Sequence, residues 1–277
     1  MKFLINAREI LFQALLDNVD RISRIDFEGK YPEKLKEFFP RKFIKQLKKK
    51  KYKKTNRIRV LFSESVNTDV NEDEKMLNII ICGQYKDVNE NELIRNFDLI
   101  MVAVNIFDLY LLINQAFSAL EREFKKAALI VNKALLSAVE ISKIPLDILK
   151  EQNKGRKNND ELFLTVEFNE NEPVLILTTS MYANTLIEEL IVKRNLRYHL
   201  LVVKQIKPIL NDVLKKLHKS KIVYIVAPYP LDRLLIRNLV NFQNMIIVSL
   251  ENISSEIPMS FDLFEVFNDF FRKVSVL

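Results

Sequence analysis

The stretch KIVYIVAPYPLDRLLIRNLVNFQNMIIVSLENI, residues 221–253, decides the fold class. An apolar run, Ile222 to Val226, is followed by the turn sequence Ala-Pro-Tyr-Pro at 227–230. Leucines then recur at helical spacing, and a second apolar run, Met245 to Leu250, closes the stretch. This order predicts a strand–helix–strand unit whose two strands are parallel and buried on both faces.

The rest of the second half alternates in the same way. Two short apolar runs, Leu162 to Phe168 and Val174 to Thr178, predict a hairpin around an Asn-Glu-Asn-Glu-Pro turn. A helix from Tyr182 to Arg194, a strand from Tyr198 to Val203 and a helix from Pro208 to His218 follow. Such alternation predicts a parallel or mixed sheet with helices on its faces.

The first half has more helical patterns. Residues 3–22 have apolar side chains at helical spacing, whereas Arg57 to Phe62 and Leu77 to Cys82 are predicted as paired strands. Phe97 to Phe117 is apolar but is interrupted by polar residues, which favours a buried core helix over a membrane span. Part of it, Leu99 to Val104, also fits a strand.

An amphipathic helix is predicted from Ser118 to Ser142, with its end set by Pro145. The polar segment Glu151 to Asp160 contains one of the three glycines and no apolar anchor, which indicates a linker. We therefore expect an α/β protein of two domains. Residues 1–150 form a helix-rich, mixed α+β domain, and residues 161–277 form an α/β domain with a parallel or mixed sheet.

Composition excludes several classes of protein. The 277 residues include three glycines and one cysteine, Cys82. A Gly-rich phosphate loop and a dinucleotide-binding fingerprint both need more glycines at close spacing, and one cysteine cannot form an internal disulfide. The early charges Arg8 and Glu9 argue against a signal peptide, so a cytoplasmic location is expected.

The net charge of +7 comes from one basic segment. Between positions 41 and 59 there are eleven basic residues and no acid, and the remainder of the chain has a small net negative charge. The eleven are Arg41, Lys42, Lys45, Lys48, Lys49, Lys50, Lys51, Lys53, Lys54, Arg57 and Arg59. They are compatible with phosphate contacts to nucleic acid, with an anionic membrane surface, with an acidic protein, or with a solvated face that has no partner.

The residue types used in catalysis fit structural roles better. His199 begins a predicted strand, and His218 ends a predicted helix, where a histidine is favoured by electrostatics alone. Cys82 lies in an apolar run and Ser180 fits a helix N-cap. The acidic residues between Ser63 and Lys75 match no ligand spacing for a metal. We therefore predict no catalytic residue, no metal and no cofactor.

One cleft is nevertheless suggested by the fold class. Asp232, Arg233 and Arg237 follow the end of the strand that closes at Val226. In open α/β sheets ligands bind outside the carboxyl ends of the strands. If the protein were an enzyme, these three residues would line its cleft.

The opening stretch resembles the last cytosolic subdomain of the flagellar and type III export-gate family, the FlhA-like proteins. The matching residues are Ile225-Val226-Ala227-Pro228, the arginines at 233 and 237, and Ile247-Val248-Ser249-Leu250-Glu251-Asn252-Ile253, in which the acid and the amide are exchanged. The segments Arg8-Glu9, Gln13 to Asp17 and Tyr31-Pro32 resemble an earlier family segment. The resemblance covers mainly residues 221–253.

This resemblance implies a non-enzymatic docking domain for protein partners, with no catalytic residues. The leading hypothesis from sequence is therefore a binding or scaffold protein with a protein partner. The alternative is a nucleic-acid-binding protein that uses the basic segment, and an enzyme is a third class.

Overall fold

The structure is a computed structural model that describes part of the chain. The described residues are 3–28, 56–62, 75–83, 87–103, 106, 108–137, 139–142, 163–166, 174–177, 199–219, 223–227, 231–239 and 245–249.

The described residues form strands and helices in alternation. The strands are β1 (Phe3–Asn6), β2 (Ile22–Glu28), β3 (Asn56–Phe62), β4 (Met76–Cys82), β5 (Leu99–Val102), β6 (Lys126–Asn132), β7 (Val139–Ser142), β8 (Phe163–Val166), β9 (Val174–Leu177), β10 (His199–Val203), β11 (Gln205–Lys207), β12 (Val223–Ala227) and β13 (Met245–Ser249). The helices are α1 (Ala7–Asp17), α2 (Glu90–Asn96), α3 (Asp108–Arg122), α4 (Lys133–Ser137), α5 (Asn211–His218) and α6 (Leu231–Asn238), and a 3₁₀ turn spans Val19–Arg21.

Two larger sheets organise these elements. The first has the strand order β11-β5-β6-β4-β3-β2, in which all neighbours are parallel except β11, which runs antiparallel to β5. The second has the order β13-β12-β9-β10-β8, in which only β8 is antiparallel. A small antiparallel pair joins β1 to β7. The predicted α/β fold class is confirmed.

The main core lies on one face of the six-stranded sheet. Helices α1 and α3 pack against each other there, and alternate residues of the strands, such as Ile79, Ile81 and Leu129, point toward them. Every residue of β4 is buried, as expected for a central strand of a parallel sheet that is covered on both faces. Phe117 of α3 is the largest fully buried side chain of this core.

The strand–helix–strand unit that the opening stretch predicted is confirmed. Strands β12 and β13 are adjacent and parallel, with Val223 opposite Met245, and α6 connects them in sequence. The strands predicted at Arg57 to Phe62 and Leu77 to Cys82 are also confirmed as a neighbouring pair. Of the two options for Leu99 to Val104, the strand is the one that forms, over Leu99–Val102.

Three predictions about elements were wrong in whole or in part. The helical pattern of residues 3–22 forms an α-helix only over Ala7–Asp17, because Phe3–Asn6 pairs with β7 as a strand and Ile22 begins β2. The helix expected from Ser118 to Ser142 ends at Arg122, because Ala127 to Val131 forms the interior of the buried strand β6. The hairpin expected from residues 162–178 does not pair with itself, because β10 lies between β8 and β9. A continuous apolar run fits a buried helix and a buried strand equally well, and sequence proximity does not determine pairing once crossovers are long.

The linker expected at 151–160 lies outside the described residues, so the two-domain division stays a prediction. One strand from the second half, β11, nevertheless completes the first sheet beside β5. No helix in the described part of the chain is long and apolar enough to cross a membrane.

Candidate functional site

The strand order of the six-stranded sheet predicts a crevice over the carboxyl end of β6. From β4 the chain passes across β6 to reach β5, and from β5 it turns back to β6. Right-handed crossovers in opposite directions leave a sheet on opposite faces, so the segments that follow β4 and β5 diverge on either side of β6. Ligands of open α/β sheets bind in such crevices.

Asn132 is the last residue of β6 and lies at the carboxyl end of the strand, where this crevice is expected. Its Oδ1 accepts a hydrogen bond from the backbone N–H of Ala134 at 2.8 Å, which fixes the start of α4. Its Nδ2 lies 3.5 Å from the carbonyl oxygen of Gly83, just beyond the end of β4. The long second distance leaves an amide N–H that is only weakly engaged.

A buried ion pair borders the crevice on the β5 side. Lys204 Nζ lies 2.5 Å from Asp108 Oδ1, and the two side chains are only 12% and 1% exposed. Asp108 is the first residue of α3, where the positive end of the helix dipole favours a carboxylate. The carbonyl oxygen of Lys204 accepts a hydrogen bond from the N–H of Val102 at 2.8 Å, which holds Lys204 at the end of β5.

Lys204 also connects the two sheets. It lies between β10 of the second sheet and β11 of the first. The second half of the chain therefore supplies the cation at the carboxyl edge of the first sheet. The carboxyl-edge site is defined here by Gly83, Ala103, Asp108, Asn132 and Lys204.

Cys82 lies on the same sheet edge but is not a nucleophile at neutral pH. Burial raises the pKa of its thiol to about 12, the nearby Asp87 carboxylate adds to this effect, and a hydrogen bond from its own backbone opposes it. The thiol donates to the carbonyl oxygen of Val131 at 3.7 Å. Cys82 packs as a small buried side chain between β4 and β6.

A second group of contacts holds α2. Arg237 of α6 donates to Glu90 Oε1 and to Asn91 Oδ1, both at 2.9 Å. At the other end of the helix, Lys207 Nζ donates to the carbonyl oxygens of Ile94 and Phe97, both at 2.7 Å. The ammonium therefore meets the negative end of the α2 dipole.

Only two of the eleven basic residues of the predicted basic segment lie among the residues that the structure describes. Arg57 forms an ion pair with Asp26 on the neighbouring strand β2, and its side chain is 19% exposed. Arg59 is 7% exposed and contacts the sulfur of Met76. Both side chains belong to the sheet, so they do not extend an exposed basic surface. The other nine lie outside the described residues, and what they bind stays a prediction.

The predicted cleft residues are only partly described. Arg237 contacts α2, Arg233 is exposed, and the side chain of Asp232 lies outside the described residues. Whether the three line a cleft stays a prediction. His218 Nδ1 donates a hydrogen bond to the carbonyl oxygen of Leu214 at 2.8 Å, on the exposed end of α5. Ser180 lies outside the described residues.

Sequence reasoning did not identify Asn132, Lys204 or Asp108 as site residues. The sequence does carry a signal for Asp108, which is a carboxylate within an otherwise apolar segment. A buried carboxylate needs a hydrogen-bond or charge partner, so its position predicts a paired, buried charge. Asn132 and Lys204 gave no signal, since their positions follow from the strand order. Among the described residues no three His, Cys, Asp or Glu side chains are grouped to hold a metal ion.

Comparison with known proteins identifies the fold. No protein-family model matches the chain, and no curated protein sequence matches it. By contrast, 159 chains of solved structures are similar to it. One is a chain of 2-oxoglutarate:ferredoxin oxidoreductase from Magnetococcus marinus, solved with 2-oxoglutarate, coenzyme A and succinyl-CoA bound. The match has a TM-score of 0.69 and covers 99% of the present chain.

The chain shares its fold with this oxidoreductase. It spans 65% of the length of that chain at 6% sequence identity, so the likeness shows the fold alone. The expected membership of the export-gate family was wrong. The residues that suggested it form a strand–helix–strand unit, which many α/β proteins share.

The functional hypothesis that followed from that resemblance is corrected as well. A non-enzymatic, export-gate-like scaffold is not retained, because the fold is one on which an oxidoreductase is built. This fold does not favour the nucleic-acid-binding alternative either, and what the basic segment binds stays a prediction. The predicted protein partner stays a prediction.

Proposed function

We propose that the chain is an enzyme domain that binds a small 2-oxo acid at the carboxyl-edge site. The observation that carries the proposal is the strand order around β6, which brings Asn132 and Lys204 to the carboxyl ends of the neighbouring strands β6 and β5. Ligands of open α/β sheets bind at such a position. The likeness to an oxidoreductase solved with 2-oxoglutarate supports this class of ligand.

A 2-oxo acid has acceptors that suit these donors. Its carboxylate and its keto oxygen accept hydrogen bonds, and the Asn132 amide has one N–H that is only weakly engaged with Gly83. The Lys204 ammonium has three N–H donors, and Asp108 Oδ1 accepts a hydrogen bond from one of them. Asp108 also fixes the position of the ammonium, so the donor is oriented before the ligand arrives. Donors aimed at a keto oxygen stabilise the charge that develops on it during reaction.

The test is binding of 2-oxoglutarate to the purified chain, measured by isothermal titration calorimetry beside succinate, which lacks the keto oxygen. We expect 2-oxoglutarate to bind more tightly than succinate. Asn132→Leu should weaken 2-oxoglutarate roughly tenfold, because it removes one hydrogen bond to a charged acceptor. Asn96→Ala, which changes an amide on α2, serves as the matched control and should leave affinity unchanged. Equal affinity for the two acids, or an unaffected Asn132→Leu variant, contradicts the proposal.

We also infer a cytoplasmic location. The single cysteine of the chain is a free, buried thiol, which is usual in a reducing compartment. Fractionation of the source cells checks this inference, and recovery in an oxidising compartment would contradict it.

A further inference from the structure

The opposite edge of the six-stranded sheet carries a groove that the proposed function does not use. Two adjoining cavities of about 730 Å³ and 410 Å³ lie there. Asp98 and Lys125, which precede β5 and β6, mark this as the amino edge. The two cavities share the lining residues Glu123, Phe124, Pro208 and Ile209, and together they are called the amino-edge groove.

The groove has an apolar wall. Phe124, Ile209 and Leu214 are half-buried and line the larger cavity together with Pro208. They come from the end of α3, the segment after β11 and the helix α5. A volume of several hundred cubic ångströms that is partly lined by such side chains accommodates a small organic molecule.

One cation, Lys207, is anchored within this wall. Its ammonium donates to the carbonyl oxygens of Ile94 and Phe97, and a third N–H remains beyond these two bonds. Burial lowers the pKa of Lys207, and the carboxylate of Asp98 acts in the opposite direction. Desolvation strengthens any hydrogen bond that the ammonium donates to an anion.

The charges around the groove favour a ligand with one negative charge. Arg122, Lys125 and Lys207 are basic, and Asp98 and Glu123 are acidic. The Asp98 carboxylate already accepts hydrogen bonds from the backbone N–H groups of Lys125 and Lys126, both at 3.0 Å. The exposed Glu123 repels a second negative charge on a ligand.

We propose that the amino-edge groove binds a monoanionic ligand that joins one carboxylate to an apolar ring or chain. The carboxylate lies against Lys207, and the apolar part packs on Phe124, Ile209 and Leu214. This site is separate from the carboxyl-edge site, since the two lie at opposite ends of the same strands.

The experiment uses benzoate as probe, with benzamide as its uncharged isostere and inorganic phosphate as an anion without an apolar part. Binding to the full chain is followed by the amide NMR shifts of Lys125, Lys207 and Ile209. Saturable shifts with benzoate, at an affinity roughly tenfold above that for benzamide, are expected, together with no competition by phosphate.

Two variants separate charge from shape. Ile209→Trp fills the groove and leaves the contacts of Lys207 with α2 in place, so it should abolish benzoate binding in a folded protein. Lys207→Met should remove the preference for benzoate over benzamide. Equal binding of benzamide, displacement by phosphate, or full benzoate affinity in Ile209→Trp would overturn the proposal.

Discussion

A lysine and an aspartate that are almost fully buried against each other are expensive to bring together, because both charges leave water. For Lys204 and Asp108 the cost is offset by their short contact and by the N-terminal end of α3. The pair also joins a residue of the second half of the chain to the start of α3. We infer that the pair fixes the position of the Lys204 ammonium.

Substitutions of Lys204 and Asp108 should have non-additive effects on the free energy of unfolding. Lys204→Met should destabilise the fold by about 3 kcal/mol, because it leaves the Asp108 charge buried and without its ammonium. The double variant Lys204→Met with Asp108→Leu should lose less than the sum of the two single variants. Denaturant unfolding of the four proteins measures this coupling. Additive losses would show that the pair does not act as a unit.

The buried thiol of Cys82 should affect both the stability of the fold at high pH and the reactivity of the native protein toward thiol reagents. Because burial raises its pKa from 9.0 to about 12, the folded protein holds this proton at pH values where the unfolded chain releases it. The stabilisation is fully present below pH 9.0 and is lost as the pH rises toward about 12. Native protein should therefore resist alkylation by a thiol reagent at neutral pH and react after unfolding. Rapid modification of the native protein would mean that the thiol is accessible.

At the scale of elements, the short helix α2 is held from three sides. Asn89 caps its first turn, since its Oδ1 accepts the N–H groups of Asn91 and Glu92 at 3.0 and 3.3 Å. Arg237 and Lys207 hold its two ends. A seven-residue helix has little stability of its own, so these contacts, with the burial of Leu93, determine that it forms.

Loss of the cap should be measurable without loss of the fold. Asn89→Ala should lower the free energy of unfolding by about 1 kcal/mol, whereas Asn89→Asp should retain most of the cap. Arg95→Ala, at an exposed position of the same helix, is the control and should change stability by no more than about 0.5 kcal/mol. Hydrogen exchange of the α2 amides should accelerate in Asn89→Ala. Equal exchange in all three variants would exclude the cap as the determinant.

For the whole molecule, the sequence predicted the elements better than it predicted their arrangement. The apolar runs at β4, β10, β12 and β13 are strong signals for strands, because buried parallel strands are apolar on both faces. The run Ala127 to Val131 was wrongly predicted as helix. It is continuously apolar, and such a run has no period that distinguishes a buried strand from a buried helix.

Local sequence patterns did not predict the strand order. The position of β10 between β8 and β9, and that of β11 beside β5, join residues that are far apart in sequence. Asn132 and Lys204 belong to the candidate site only through that order, so no motif could identify them. The resemblance based on residues 221–253 failed for a related reason, because one strand–helix–strand unit is common to many folds.

The central claim is that the carboxyl edge of the six-stranded sheet, where both halves of the chain meet at Lys204, is where ligand binds. Amide NMR spectra recorded during titration with 2-oxoglutarate test it most directly. The claim predicts saturable shifts that cluster at Gly83, Ala103, Asn132 and Lys204. Shifts confined to the amino-edge groove, or no saturable shift at all, would contradict it.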